Sequence, residues 1–280
     1  MFTNKLDKTR TEATLFKHVP AVLVSRHSTG SGALIVNADD WGRDTANTDR
    51  ILDCYRVGAI WSVSAMVFMQ DSERAAQIAL ELGIDAGLHL NFTSPFSAPG
   101  VSSELLVHHE RVAAYLRRCR INQAFFHPGL MRSFDYVVAA QLEEYAHLYG
   151  APPTRLDGHH HMHLCANVLF GALMPAGTMV RRNFSFGPKE KGFLNRRYRQ
   201  FVDERLARRH RLTDFFFSLA PLEPVDRLQN ILALSHESTV ELETHPGVPE
   251  EYRFLTGDEF LRRIRDLPLA THYAGRGHAH

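Results

Sequence analysis

Cysteine is scarce in this chain, tryptophan scarcer, and no apolar run is long. Among 280 residues there are three cysteines, Cys54, Cys119 and Cys165, and none forms a CxxC pair. An odd count without paired spacing argues against a disulfide framework and for a reducing cytoplasm. It also denies the chain a closed cysteine-rich zinc site. The longest apolar stretches, such as 231–234, fall far short of the roughly 20 residues that span a bilayer. Excess charge is missing as well. Lys and Arg number 32 and Asp and Glu 31, a formal net charge of +1, so the global balance offers no argument for nucleic acid or a membrane as partner. Residues 1–12 are charged and lack the apolar core of a secretory signal. Residues 1–30 are expected to be a poorly ordered extension, and 31–275 a single domain.

Strand and helix patterns alternate. The apolar run 33–37 closes on a polar residue, as a parallel strand buried on both faces does. Helical spacing follows over 45–57 with a stop at Gly58, then a strand over 60–67 and a helix from a Ser72 cap through Leu82 to Gly83. Further strands are expected at 85–91, 124–126, 154–157, 178–181, 214–217, 239–243 (Val240 and Leu242 inward) and 269–272. Helices are expected at 133–148, 224–234 and 258–265. This alternation predicts a parallel α/β fold. Segment 187–211 stands apart with nine Lys and Arg residues. It is read as a basic excursion, a solvated helix and loop, with a cap over the active site or a patch for an anionic partner as the alternatives.

Histidine is plentiful, at 17, and polar residues gather where the expected strands end. Asn37, Asp39 and Asp40 follow the first strand; His89 and Asn91 end the third; Asp157, His159, His161 and His163 follow the strand at 154–157; His245 follows the one at 239–243. In parallel barrels that edge is where active sites form. Asp39 and Asp40 alone are equally open to a helix-capping role. His89 alone reads as a core histidine. The period of two in His159, His161 and His163 is expected to set three imidazoles on one side of an extended segment. One carboxylate with two imidazoles, leaving positions open for water, suits a catalytic metal, zinc more than magnesium or another divalent ion.

The stretches 34–42 (LIVNADDWG), 58–67 (GAIWSVSAMV), 87–91 (GLHLN), 156–163 (LDGHHHMH) and 243–247 (ETHPG) resemble those of the YdjC-like deacetylases, which include chitooligosaccharide and hopanoid-associated deacetylases. The resemblance implies a distorted TIM-like (β/α) barrel with its active site at the C-terminal ends of the strands. It implies one divalent metal held by Asp40, His89 and His159, with Asp39 as catalytic base and His245 as catalytic acid. His161 and His163 are left as orienting residues around them. The implied reaction is removal of acetyl from an N-acetylated sugar, with no nucleic acid partner and no transmembrane segment; a homodimer stays open. Trp41 stands where the family has Phe, and 92–100 replaces a glycine-rich continuation, which bears on substrate rather than chemistry. Two alternatives remain. One is a barrel phosphoesterase using two metals, with Arg181 and Arg182 on phosphate. The other is a sugar-binding protein without turnover.

Overall fold

The computed structural model describes residues 32–185 and 192–270. Seven strands form one parallel sheet: β1 (Ala33–Trp41), β2 (Ser62–Ala65), β3 (Asp85–Leu90), β4 (Arg155–Gly158), β5 (Met179–Val180), β6 (Phe215–Ser218) and β7 (Thr239–Thr244). Their order is β5-β4-β3-β2-β1-β7-β6. The sheet curls toward closure, and the segments beside its two edge strands bridge the gap: Val180 N–H donates to Arg211 O at 2.9 Å, and Ser185 N–H to Phe216 O of β6 at 2.8 Å. The helices among the described residues are α1 (Thr45–Arg56), α2 (Ser72–Leu82), α3 (Ser103–Arg118), α4 (Met131–Tyr149), α5 (Ala166–Gly171), α6 (Phe193–Ala207), α7 (Val225–Leu234), α8 (Pro249–Leu255) and α9 (Asp258–Ile264). This is the parallel α/β fold that the alternation of elements predicts, in the TIM-like form that the family resemblance implies.

The period of two along each strand sorts the side chains. Leu34, Val36 and Ala38 of β1, Val63 and Ala65 of β2, Leu88 and Leu90 of β3, Leu156 of β4 and Val240 and Leu242 of β7 join the apolar layer under the helices. The alternate positions carry Asn37, Asp39, Ser62, Ser64, His89, Arg155, Asp157, Glu241 and Glu243, all buried. The usual TIM barrel fills its lumen with branched apolar side chains; this one fills it mainly with polar and charged groups, with Ile35 and Phe216 buried among them. Val240 and Leu242, expected to face inward, pack outward under the helices, and the glutamates between them turn in.

Arg155, buried in this lumen, is met on several sides. Arg155 donates to Ser62 Oγ at 2.8 Å, Ser64 Oγ at 3.1 Å and Val63 O at 2.7 Å. A β-carbon at Gly87 would lie 2.6 Å from the Arg155 guanidinium carbon. Gly87→Ala is therefore expected to destabilise the fold by about 1–3 kcal/mol through overpacking, read from the urea midpoint. An unchanged midpoint would show that Arg155 is free to move aside.

Several sequence expectations are corrected. The strand expected at 124–126 is absent; Arg120–Ala124 is a 3-10 turn, and Phe125 and Phe126 beyond it are exposed. Among the described residues no strand pairs with them. Ser72 is the first residue of α2 rather than its cap; its hydroxyl accepts from Met69 N–H and donates to Met66 O. The strand at 269–272 reduces, within the described residues, to one bridge of Leu269 with Leu34. α3 has no counterpart among the expected elements. Ser102 caps it, accepting from Leu105 N–H, and its buried stripe includes His108 and His109, which blunts the apolar periodicity. The extension at 1–30, the start of the basic excursion (187–191) and the chain end beyond 270 lie outside the described residues. The rest of that excursion is mostly α6, which packs on the barrel through Val202 and Leu206.

Candidate metal centre

Asp39 and Asp40 close β1 at a break in register between Ala38 and Trp41. Asp40 is left-handed, φ 67°, a conformation Asp tolerates better than most residues. In a regular strand neighbouring side chains diverge. The break turns both carboxylates toward His89, whose Nε2 lies 3.9 Å from Asp39 Oδ2 and 3.6 Å from Asp40 Oδ1. His89 is the direct register partner of Asp157 across β3 and β4. Its Nδ1 meets Asp157 Oδ1 at 2.7 Å, so Nε2 is left to face the aspartates. A carboxylate behind an imidazole in this way fixes the ring's tautomer and aim.

His159 follows β4 directly. Its Nδ1 lies 3.0 Å from Asp40 Oδ1. The histidine run is not extended as expected: 159–164 is a 3-10 turn in which His160 and His161 are both left-handed, φ 54° and 58°. The turn separates the imidazoles by role. His159 reaches Asp40. His160 accompanies it, with ring centroids 3.9 Å apart, and its Nδ1 is 2.9 Å from Thr93 Oγ1. His161 looks toward Glu243 at 3.6 Å. His163 turns beneath the sheet rim to Arg181 O at 2.9 Å, where burial pushes its pKa down to about 4. His163 is thus a neutral structural group away from the reacting face.

The donor set fits a metal. Ligand atoms of Asp40, His89 and His159 all lie within 4.8 Å of one another. Asp40 Oδ2 accepts from Arg43 at 3.0 Å, while Asp40 Oδ1 is buried without a well-formed hydrogen bond. A buried carboxylate oxygen left so is costly unless a cation satisfies it. Two donors sharing a zinc-sized ion at tetrahedral angles sit about 3.4 Å apart; the separations from Asp40 Oδ1 are 3.0 and 3.6 Å.

Beneath this trio lies a second group that sequence reasoning did not assemble. Arg181, just beyond β5, is buried in the lumen over the Phe216 ring, 4.9 Å from its centroid. Its guanidinium holds Asp39 with two bonds, 2.7 and 2.8 Å, and reaches Asp157 at 3.0 Å, Glu241 at 2.6 Å and Glu243 at 3.1 Å. Burial alone would raise the pKa of Asp39, but Arg181 and His89 outweigh it and hold the carboxyl well below the usual range. Glu243 goes the other way: burial, then the negative charge of Asp39, pushes it well above. Of the two, Asp39 is the one favoured to carry charge and Glu243 the one favoured to take up a proton. The signals available were Asp157, two residues before His159, and the Glu241–Glu243 alternation. Arg181 follows a two-residue strand and offered none beyond its charge.

His245 stands on the rim past β7, its Nε2 4.0 Å from Asp39 Oδ2. Its backbone N–H donates to Glu251 of α8 at 2.8 Å, which sets where the ring points. The five residues singled out from the sequence thus converge on one cavity of about 530 Å³, also lined by Arg43, His160, His161 and Glu243. Arg181 and Arg182 do not line it. Arg182 is turned to Asp203, 2.8 Å away, and to the backbone of Thr213 and Asp214.

A family model described as YdjC-like protein matches residues 33–267. A chitooligosaccharide deacetylase of Proteus mirabilis is 30% identical over 131 residues, 47% of this chain and 50% of that one. One from Serratia marcescens is 31% identical over 137 residues, with the same coverage. The chain thus matches about half the length of these two relatives. A carbohydrate deacetylase of Mus musculus is 28% identical over 248 residues, 77% of this chain and 78% of that one. In fold, the chain is similar to a crystal structure from Enterococcus faecalis V583 described as a candidate cellobiose-phosphate cleavage protein: TM-score 0.61, 19% identity, 85% of this chain and 97% of the other.

Proposed function

Because this chain belongs to the YdjC-like family, we propose that it is a metal-dependent carbohydrate N-deacetylase, hydrolysing the acetamide of an N-acetylated amino sugar to the free amine and acetate. The observation that carries this reading is the orphaned Asp40 Oδ1 between two imidazole nitrogens at the base of the cavity, with Asp39 and His245 beside it. Asp40, His89 and His159 would hold the ion, zinc by the donor set or else magnesium or another divalent ion. When bound, the ion polarises the acetamide carbonyl and acidifies water.

The chain's own residues then divide the proton work. Asp39, kept ionised by Arg181, accepts the proton lost by the attacking water. His245 gives a proton to the departing amine nitrogen. Asp157 holds His89 in place, and Arg181 fixes Asp39. His161, pressed by burial and then by Arg181 to a pKa well below its usual value, is neutral and suited to hydrogen bonding rather than to carrying charge. The homologues' names support a sugar amide as substrate. The free state of Cys54, Cys119 and Cys165 supports a reducing, cytoplasmic setting. No helix among the described residues is long and apolar enough to cross a membrane.

A phosphoesterase reading loses its support, since Arg181 is spent on carboxylates and Arg182 on Asp203. The test is acetate release from a panel of N-acetylated sugars alongside the metal content of the purified protein. Acetate is expected, lost on chelation and restored by one divalent ion. Phosphate release from sugar phosphates without acetate release would sink the proposal.

His245→Ala is expected to keep the metal and lose about 10²- to 10⁴-fold in turnover, the usual range for one acid–base partner. Metal analysis and steady-state rates check it. Turnover near that of the parent would leave His245 with its backbone bond to Glu251 as its main role.

A further inference from the structure

A second cavity, about 260 Å³, adjoins the first and shares His160 and His161 with it. Its walls are the 3-10 turn at Arg120–Ala124 and the helix α6. Both walls leave large apolar side chains in water. Ile121, Phe125 and Phe126 are exposed on one side; on the other, Phe193 and Leu194 are 68% and 81% exposed, followed by Tyr198 and Phe201. α6 fully buries only Val202 and Leu206. At 3.6 residues per turn, Phe193, Leu194, Tyr198 and Phe201 occupy about 140° of its circumference, beside the buried strip. Arg197, Glu204 and Arg205 fall within the same arc, so the face mixes apolar and charged groups, and large apolar side chains left exposed together mark a docking surface.

Charge tells which partner. Residues 193–209 carry six arginines against Asp203 and Glu204, and Asp203 is taken by Arg182. Arg120 stands at the opposite wall. Rings and aliphatic groups interleaved with arginine are what an interfacial helix presents to anionic lipid. We propose that this face docks on an anionic phospholipid surface, with Phe193, Leu194 and Phe201 entering the acyl boundary and the arginines meeting the phosphate groups. A second copy across a two-fold axis would set arginine against arginine. Nucleic acid would use the rings for stacking but leave Ile121 and Leu194 in water.

Docking here needs no turnover, and its test is independent of the deacetylase reading. The full chain is sedimented with vesicles of phosphatidylcholine alone and of phosphatidylcholine mixed with phosphatidylglycerol. Binding to the mixed vesicles is expected, weakening as salt is raised. The double variant Phe193→Asp, Leu194→Asp is expected to lower the bound fraction on the order of tenfold or more. It should leave the melting temperature and acetate release from a soluble acetylated sugar unchanged. His89→Ala is expected to bind vesicles as the parent does, so loss of turnover leaves docking in place. Failure to bind mixed vesicles overturns the proposal. So does equal binding by the double variant, a dimer formed through this face that excludes vesicles, or binding of single-stranded nucleic acid in place of lipid.

Discussion

Asp39→Asn is expected to leave metal content near that of the parent while turnover falls about 10²- to 10⁴-fold. Asp39 and Asp40 are adjacent in sequence, but their surroundings differ. Asp40 Oδ1 faces His89 and His159 and has no well-formed hydrogen bond of its own. Asp39 has both oxygens engaged by Arg181, and Oδ1 also accepts from Asn37. It therefore fits a positioned base better than a ligand. The amide keeps the volume but cannot take a proton, and its NH2 would face donors in place of an acceptor. A stability loss of about 1–3 kcal/mol is expected alongside, so rates are compared below the variant's melting point. His89→Ala provides the contrast: metal and turnover should disappear together. Equal metal loss in both variants would make Asp39 a ligand and overturn the division of roles.

Arg181→Met should be the most damaging single change to the fold. Methionine keeps an aliphatic stem but loses the guanidinium, the cation on which Asp39, Asp157, Glu241 and Glu243 converge. Its removal strands these buried carboxylates without their counter-charge. Breaking a buried ion pair from one side costs about 3–5 kcal/mol, against a total stability of about 5–15 kcal/mol for a domain. Poor soluble yield, or a urea midpoint shifted to low concentration, is expected. Arg181→Lys keeps the charge without the planar fork that bonds two carboxylates at once, and should fall between. A Met variant within about 1 kcal/mol of the parent would mean that the carboxylates protonate readily together and that the cluster is not held by charge.

The sequence placed most strands and several of the helices within a few residues, because buried parallel strands and amphipathic helices write their periods into apolar residues. It failed where those residues do something else. The aromatic pair Phe125 and Phe126 mimics a strand but lies exposed at the rim of a cavity. α3 mixes His108 and His109 into its buried stripe and so hides its period. The near-zero net charge is silent on the local surplus on α6, which the basic run at 187–211 did show, because charges cancel in a sum and not on a surface.

What the sequence determined by itself was the donor inventory and its address: Asp39, Asp40, His89, His159 and His245, each just past an apolar run, hence on one rim of a parallel barrel. Strand direction enforces that, since every parallel strand ends on the same side. What only the tertiary structure decided was which groups touch. The left-handed turn at Asp40 brings both aspartates toward His89, and the turn at His160 and His161 sends three imidazoles three ways. The register of β3 against β4 sets Asp157 behind His89. The closure of the sheet brings Arg181 under Asp39, 142 residues away along the chain. Such contacts depend on register, twist and closure, which are properties of the whole sheet and are carried by no single segment of the chain.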